Sequence, residues 1–208
     1  MSWESKQVLK KIFKVIPGPY WGILSMVVSI ASIIIAASTF PGYSLNCMIS
    51  YLGHSPGALI FNLGLILSGS FALVFYLYFA PILKSKNVKI GIYRTALTFA
   101  IMSCIFYILI GIFPAGADTY MILVHGVVSM ISLICGTIYK SLFGYMMLKS
   151  EKFLKFHTYS AIIVVTIEIT FLLTWIAYIE WIMVFAITYW ISMLSIYVFI
   201  RKELRYYQ

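Results

Sequence analysis

Acidic residues are scarce in this chain, six Asp and Glu among 208, and charges of both signs make up only 10% of it. A soluble domain carries about a quarter charged residues, so a surface wetted on all sides is excluded. Polar stretches are short as well: the longest segment between apolar runs on the uncharged side is about fifteen residues, too little for a soluble domain. The three cysteines, Cys47, Cys104 and Cys135, have no paired spacing, which argues against a disulfide framework and a CxxC metal site. Asn46, Asn62 and Asn87 lack Ser or Thr two positions later, so no glycosylation sequon exists. G-x-S-x-G, H-E-x-x-H, P-loop and paired-carboxylate patterns are missing too. An enzyme therefore has to rest on an unrecognised arrangement of residues.

Apolar residues are what the chain has in excess: 62% of it, with a mean hydropathy of +1.00. That excess finds no room in a soluble core, and the solvent it calls for is lipid. Runs of roughly twenty apolar residues recur near 20–40, 57–80, 95–113, 120–145, 158–177 and 181–200. Pro41-Gly42, Pro56-Gly57, Pro114 with Gly116, and the charged stretch 149–157 separate them. The predicted fold is an all-α, polytopic bundle of six transmembrane helices over 20–200, with a segment 1–19 before it and a basic tail 201–208 after it.

Net charge is +9, and its placement decides its meaning. Lys6, Lys10, Lys11 and Lys14 precede the first span, and Lys84, Lys86, Lys89 and Arg94 lie between the second and third. Lys149, Lys152 and Lys155 lie between the fourth and fifth, and Arg201, Lys202 and Arg205 follow the sixth. All of these fall on one side; the segments 41–56, 114–119 and 178–181 have none. The positive-inside rule then puts both termini in the cytoplasm of a multi-pass cell-membrane protein. Anionic headgroups at that face, not nucleic acid, are the expected partners of the charge. Protein partners and a homo-oligomer stay open. In 3–16, Leu9, Ile12, Phe13 and Ile16 recur at helical spacing opposite Lys6, Lys10 and Lys14. This predicts a basic amphipathic helix in the inner headgroup layer, halted by Pro17-Gly18-Pro19.

Two charges sit where lipid should be. Glu168 falls near the middle of the fifth span, where an ionisable group costs about 2.5–3.5 kcal/mol and faces the bundle or a wet cavity. It reads either as a functional group or as a lock between helices. Lys140 sits in a fourth helix that, over 120–148, is about 43 Å long against a core of ~30 Å. A lysine so placed can snorkel to the interface, but Gly136, Lys140 and Gly144 share one face, and small residues there favour a helix neighbour. Folding the fourth and fifth spans about residues 152–153 leaves the two charges offset by about three residues, ~4.5 Å along the axis. An ion pair between Lys140 and Glu168 is predicted.

The remaining polar residues are dispersed. His54 and His125 fall toward the outer face, where they are expected to approach one another. A bis-histidine haem there lacks any further ligand spacing and is set aside, so no cofactor and no metal are expected. His125 reads as a polar contact or as the wall of an outer cavity. Asp118 reads as the N-cap of the fourth helix, and Glu180 in "AYIEW" as a solvated turn tip. Asn62, Gly69 and Tyr76 form a stripe on the second helix, read as a packing face or a polar wall.

Two stretches carry a family pattern. "GHSPGALIFNLGLILSG" (53–69) has a Pro-Gly start followed by Phe61-Asn62-Leu63-Gly64, and "GIFPAGADTYMILVHG" (111–126) runs from Gly111 and Pro114 to His125. The chain resembles domain of unknown function 998, a family of uncharacterised six-helix prokaryotic membrane proteins. The resemblance implies a six-helix bundle and no assigned reaction. It draws attention to Asn62, Gly64, Pro114 and His125, and to a pocket in the outer half of helices two to four. Lys140 and Glu168 are not part of that pattern. Binding or transport of a lipid or small hydrophobic ligand inside the bundle is the expected function. An accessory subunit of a membrane complex and a lipid-modifying enzyme using His125 are the alternatives.

Overall fold

A computed structural model describes residues 7, 11–116, 118–201 and 204. Six long helices make the chain all-α, with no strand among the described residues. They are α1 (Gly18–Ser38), α2 (Ala58–Leu83), α3 (Ile90–Ile112), α4 (Thr119–Leu148), α5 (Lys155–Thr174) and α6 (Ala177–Ile200). Each is long and apolar enough to cross a membrane, which makes this a multi-pass membrane protein. A short 3₁₀ helix, Ile49–His54, lies in the α1–α2 connection. Lys6, Lys10, Leu9, Lys202 and Arg205 lie outside the described residues.

The observed helices overrun the apolar runs at several ends. α3 begins at Ile90 instead of near 95, and takes Arg94 into its first turns. α6 begins at Ala177 instead of 181. Apolar runs measure the hydrocarbon slab, whereas a helix keeps its hydrogen bonds into the headgroup layer. α4 is one continuous helix, and Asp118 caps it by accepting the Met121 N–H at 3.0 Å. Asp118→Ala is expected to cost about 1 kcal/mol and to speed hydrogen exchange in the first turn of α4, with the rest of the helix unchanged.

The helices stand in a ring in chain order, each against the next, and α6 closes the circle on α1. In lipid, close approach of backbones replaces the hydrophobic effect as the cause of helix association. α1 meets both its neighbours along a face of small residues: Gly18, Gly22, Ser25, Ser29, Ser32 and Ala36 are all buried, at alternating spacings of four and three. A Cβ on Gly22 would strike Ser195 of α6, and a Cβ on Gly64 of α2 would strike Ser32. Ser25 Oγ donates to Ser68 O of α2 at 2.9 Å. Across α3 and α4, Ser103 and Ser132 each donate a hydroxyl to the other's carbonyl, at 2.9 and 3.0 Å.

One end of the ring carries the lysine-bearing connections, and that half is filled solid. Phe75, Phe79, Phe143, Met146, Trp190 and Leu194 are all at zero exposure there. Phe13 is also buried, at 1%, with its ring edge-on to Tyr78 at 5.0 Å. The segment before α1 thus inserts a side chain into the bundle at this end.

Candidate functional site

The other half of the ring is hollow. A cavity of about 590 Å³ runs from the top of the aromatic plug toward the opposite end, and all six helices contribute to its wall. Its sides are mostly apolar, with Ile33, Leu65, Leu133, Phe171, Met183 and Ile187 among them. Ligand sites commonly measure ~300–1,000 Å³ and are apolar with a few placed polar groups.

The charged groups lie at its two ends. At the plug end Lys140 Nζ stands 2.9 Å from Glu168 Oε1, and the two side chains are 2% and 1% exposed. The predicted pair forms, and the snorkelling alternative for Lys140 does not. The short connection between α4 and α5 holds the two helices in the required register. Thr158 Oγ1 donates to Gly144 O at 3.3 Å nearer the connection. Thr137 Oγ1 approaches Glu168 Oε2 at 3.5 Å. Gly136 makes the room: a Cβ there would stand 2.8 Å from Lys140 Nζ and 3.0 Å from Glu168 Oε1. The Lys140 ammonium also lies over the Tyr139 ring, 4.4 Å from its centroid. The Tyr139 hydroxyl donates to the Tyr76 hydroxyl at 2.7 Å, and both tyrosines border the cavity beside the pair.

At the far end the α1–α2 connection forms a roof. Met48, Ile49, Ser50, Tyr51 and His54 face the cavity. Glu180 holds that roof, and here the sequence reading is corrected. Glu180 is 8% exposed, and its carboxylate accepts the Ile49 N–H at 2.6 Å and the Ser50 N–H at 3.4 Å. It is no solvated tip, because α5 ends at Thr174, Trp175 adopts a left-handed φ of 51°, and α6 already starts at Ala177. The tight turn places Glu180 inside the first helical turn, where the start of the 3₁₀ helix offers it unpaired N–H groups. Trp181 Nε1 donates to Cys47 O at 3.0 Å, and the Tyr43 hydroxyl donates to Met48 O at 2.9 Å. Burial, then the nearby Glu180 carboxylate, pushes the Tyr43 phenol well above its ordinary range, so it stays a donor. Glu180→Ala strands two backbone donors at a cost of about 1–3 kcal/mol. Faster hydrogen exchange over residues 48–55, by about tenfold or more, is the expected readout.

The family-pattern residues divide between wall and frame. Phe61 and His125 line the cavity, and His125 Nδ1 lies 3.0 Å from Phe113 O, which directs its other ring nitrogen elsewhere. Asn62, Gly64, Gly111 and Pro114 belong to the frame. Asn62 Nδ2 donates to Gly53 O at 3.1 Å, and a Cβ on Gly53 would stand 3.1 Å from Pro114. A Cβ on Gly111 would come within 2.6 Å of Asn62 O. Gly69 likewise admits Tyr107 and Ile108 of α3, so the Asn62–Gly69–Tyr76 stripe packs at its middle and meets the cavity at Tyr76. His54 and His125 both border the far end of the cavity.

Apart from Ser68, which neighbours the Asn62–Gly69–Tyr76 stripe, the hydroxyl groups around the wall escaped the reading of the sequence. Ser25, Ser29, Ser68, Ser103, Ser129 and Ser132 all border the cavity. The signal for Ser25 and Ser29 was the four-three spacing of small residues on α1, which marks a face turned to protein.

The chain matches no protein of curated function and no solved structure. A family model described as "Protein of unknown function (DUF998)" matches residues 23–197, most of the chain, and the protein belongs to that family.

Proposed function

We propose that this protein binds a lipid or small hydrophobic ligand inside its helix ring, as a membrane binding or transport protein. The observation that carries the reading is the cavity itself: six helices line about 590 Å³ of mostly apolar space, bounded at one end by the aromatic plug and at the other by the α1–α2 connection. A bundle selected only for stability gains by filling such space, since each void forfeits dispersion contacts. The lysine-rich end supports a cell-membrane orientation with both termini in the cytoplasm, which puts the roof on the outer side.

Native mass spectrometry of the protein extracted gently from its own membrane tests the reading. The expected spectrum holds a discrete added mass of lipid or cofactor size, reduced in Ser129→Trp and Ile187→Trp, which fill the cavity from α4 and α6. A visible spectrum of the same sample reads haem independently. A bare chain in every preparation, or a mass retained equally by both cavity-filling variants, contradicts the proposal.

A further inference from the structure

The cavity's shape and the state of its buried charges narrow the ligand class, on the proposal just made that the cavity is a binding site. Lys140 and His125 both border it and are fifteen residues apart on one helix, which is about 22 Å at 1.5 Å per residue. The cavity of about 590 Å³ extends along that length.

The plug end then selects the head. An ammonium has three hydrogens to donate and a carboxylate four lone-pair positions. Among the described residues, Glu168 Oε1 is the acceptor bonded to Lys140, with the Tyr139 ring face alongside. Glu168 Oε2 has only the Thr137 hydroxyl, at the 3.5 Å limit. Donor and acceptor capacity therefore remain side by side at the cavity floor. The pair as a whole is neutral, wherever its proton sits. A head of net charge would bring an uncompensated charge beside a pair whose side chains are 2% and 1% exposed, at a cost of several kcal/mol. An uncharged group that both accepts and donates meets Nζ and Oε2 together at no such cost.

We infer that the ligand is an amphiphile with an uncharged hydroxyl or amide head, seated head-down on Lys140 and Glu168 with its tail extending toward His125. Four probes with the same chain separate the alternatives: hexadecanol, hexadecanamide, palmitate and hexadecylamine, offered in equal amounts to delipidated protein and read by native mass spectrometry. The alcohol and the amide should be retained over the acid and the amine by about tenfold or more. The double variant Lys140→Met/Glu168→Leu should lose that preference while still retaining a chain. The head-group comparison needs only the unaltered protein, so it stands even if the variant does not fold. Palmitate or hexadecylamine held as well as the alcohol overturns the inference. Equal retention of all four probes, undone by Ser129→Trp, also overturns it but leaves the cavity a binding site. Retention of none overturns both readings.

Discussion

Replacing Lys140 by Met is expected to lower the unfolding free energy by about 3–5 kcal/mol, and adding Glu168→Leu to the same chain is expected to return most of that loss. The single change leaves a carboxylate at 1% exposure with a thioether where its cation stood. It then either stays charged without compensation or takes up a proton, and both are costly in a medium that screens little. The double change removes both ionic groups and offers two apolar side chains of similar volume, which such sites often accept without loss. Unfolding in mixed micelles by rising denaturing detergent measures each term, and the double-mutant cycle isolates the coupling. Losses that simply add would mean the two groups do not sense one another, against the 2.9 Å contact.

Gly111→Ala should be a strongly damaging single methyl in the cavity half of the bundle. Its Cβ would stand 2.6 Å from the Asn62 carbonyl oxygen, 2.9 Å from Ile66 and 3.1 Å from Leu65. The nearest obstacle is α2 backbone, which has no rotamer by which to yield. α3 has to move away from α2, carrying Ser103 and Tyr107 out of the cavity wall, at a cost of about 1–3 kcal/mol. Gly126→Ala on α4 is the matched control, because nothing lies within 4 Å of its added Cβ. There, alanine's better helix propensity should leave stability equal or raise it by up to ~1 kcal/mol. Comparable losses at both positions would show that the α2–α3 approach is not as close as the structure has it.

Helix number, order and the buried pair were all legible before any coordinates. Twenty-residue apolar runs give the spans, and a short connection between α4 and α5 fixes their register well enough to bring Lys140 to Glu168. Asp118 was legible because a cap is a local device, one side chain bonding a backbone group three residues on. Glu180 was not legible, since its partners Ile49 and Ser50 lie some 130 positions away and the path of the 39–57 connection is set by tertiary contacts. The cavity escaped for a related reason. Serine, leucine and isoleucine at a given position do not reveal whether a helix face meets lipid, protein or empty space; only the closing of α6 on α1 decides that. The family pattern pointed to the right half of the bundle, but four of its six residues hold the frame around the cavity instead of lining it.

An experimental density map of the protein, extracted with the lipids of its own membrane and not exchanged into foreign ones, tests the central claim most directly. The expected result is one continuous rod of density between the six helices, beginning against Lys140 and Glu168 and extending toward His125. Isolated water peaks along the same path, or side chains such as Phe171 and Ile187 turned inward to fill it, would contradict a ligand-binding cavity and leave the Lys140–Glu168 pair a clasp between α4 and α5.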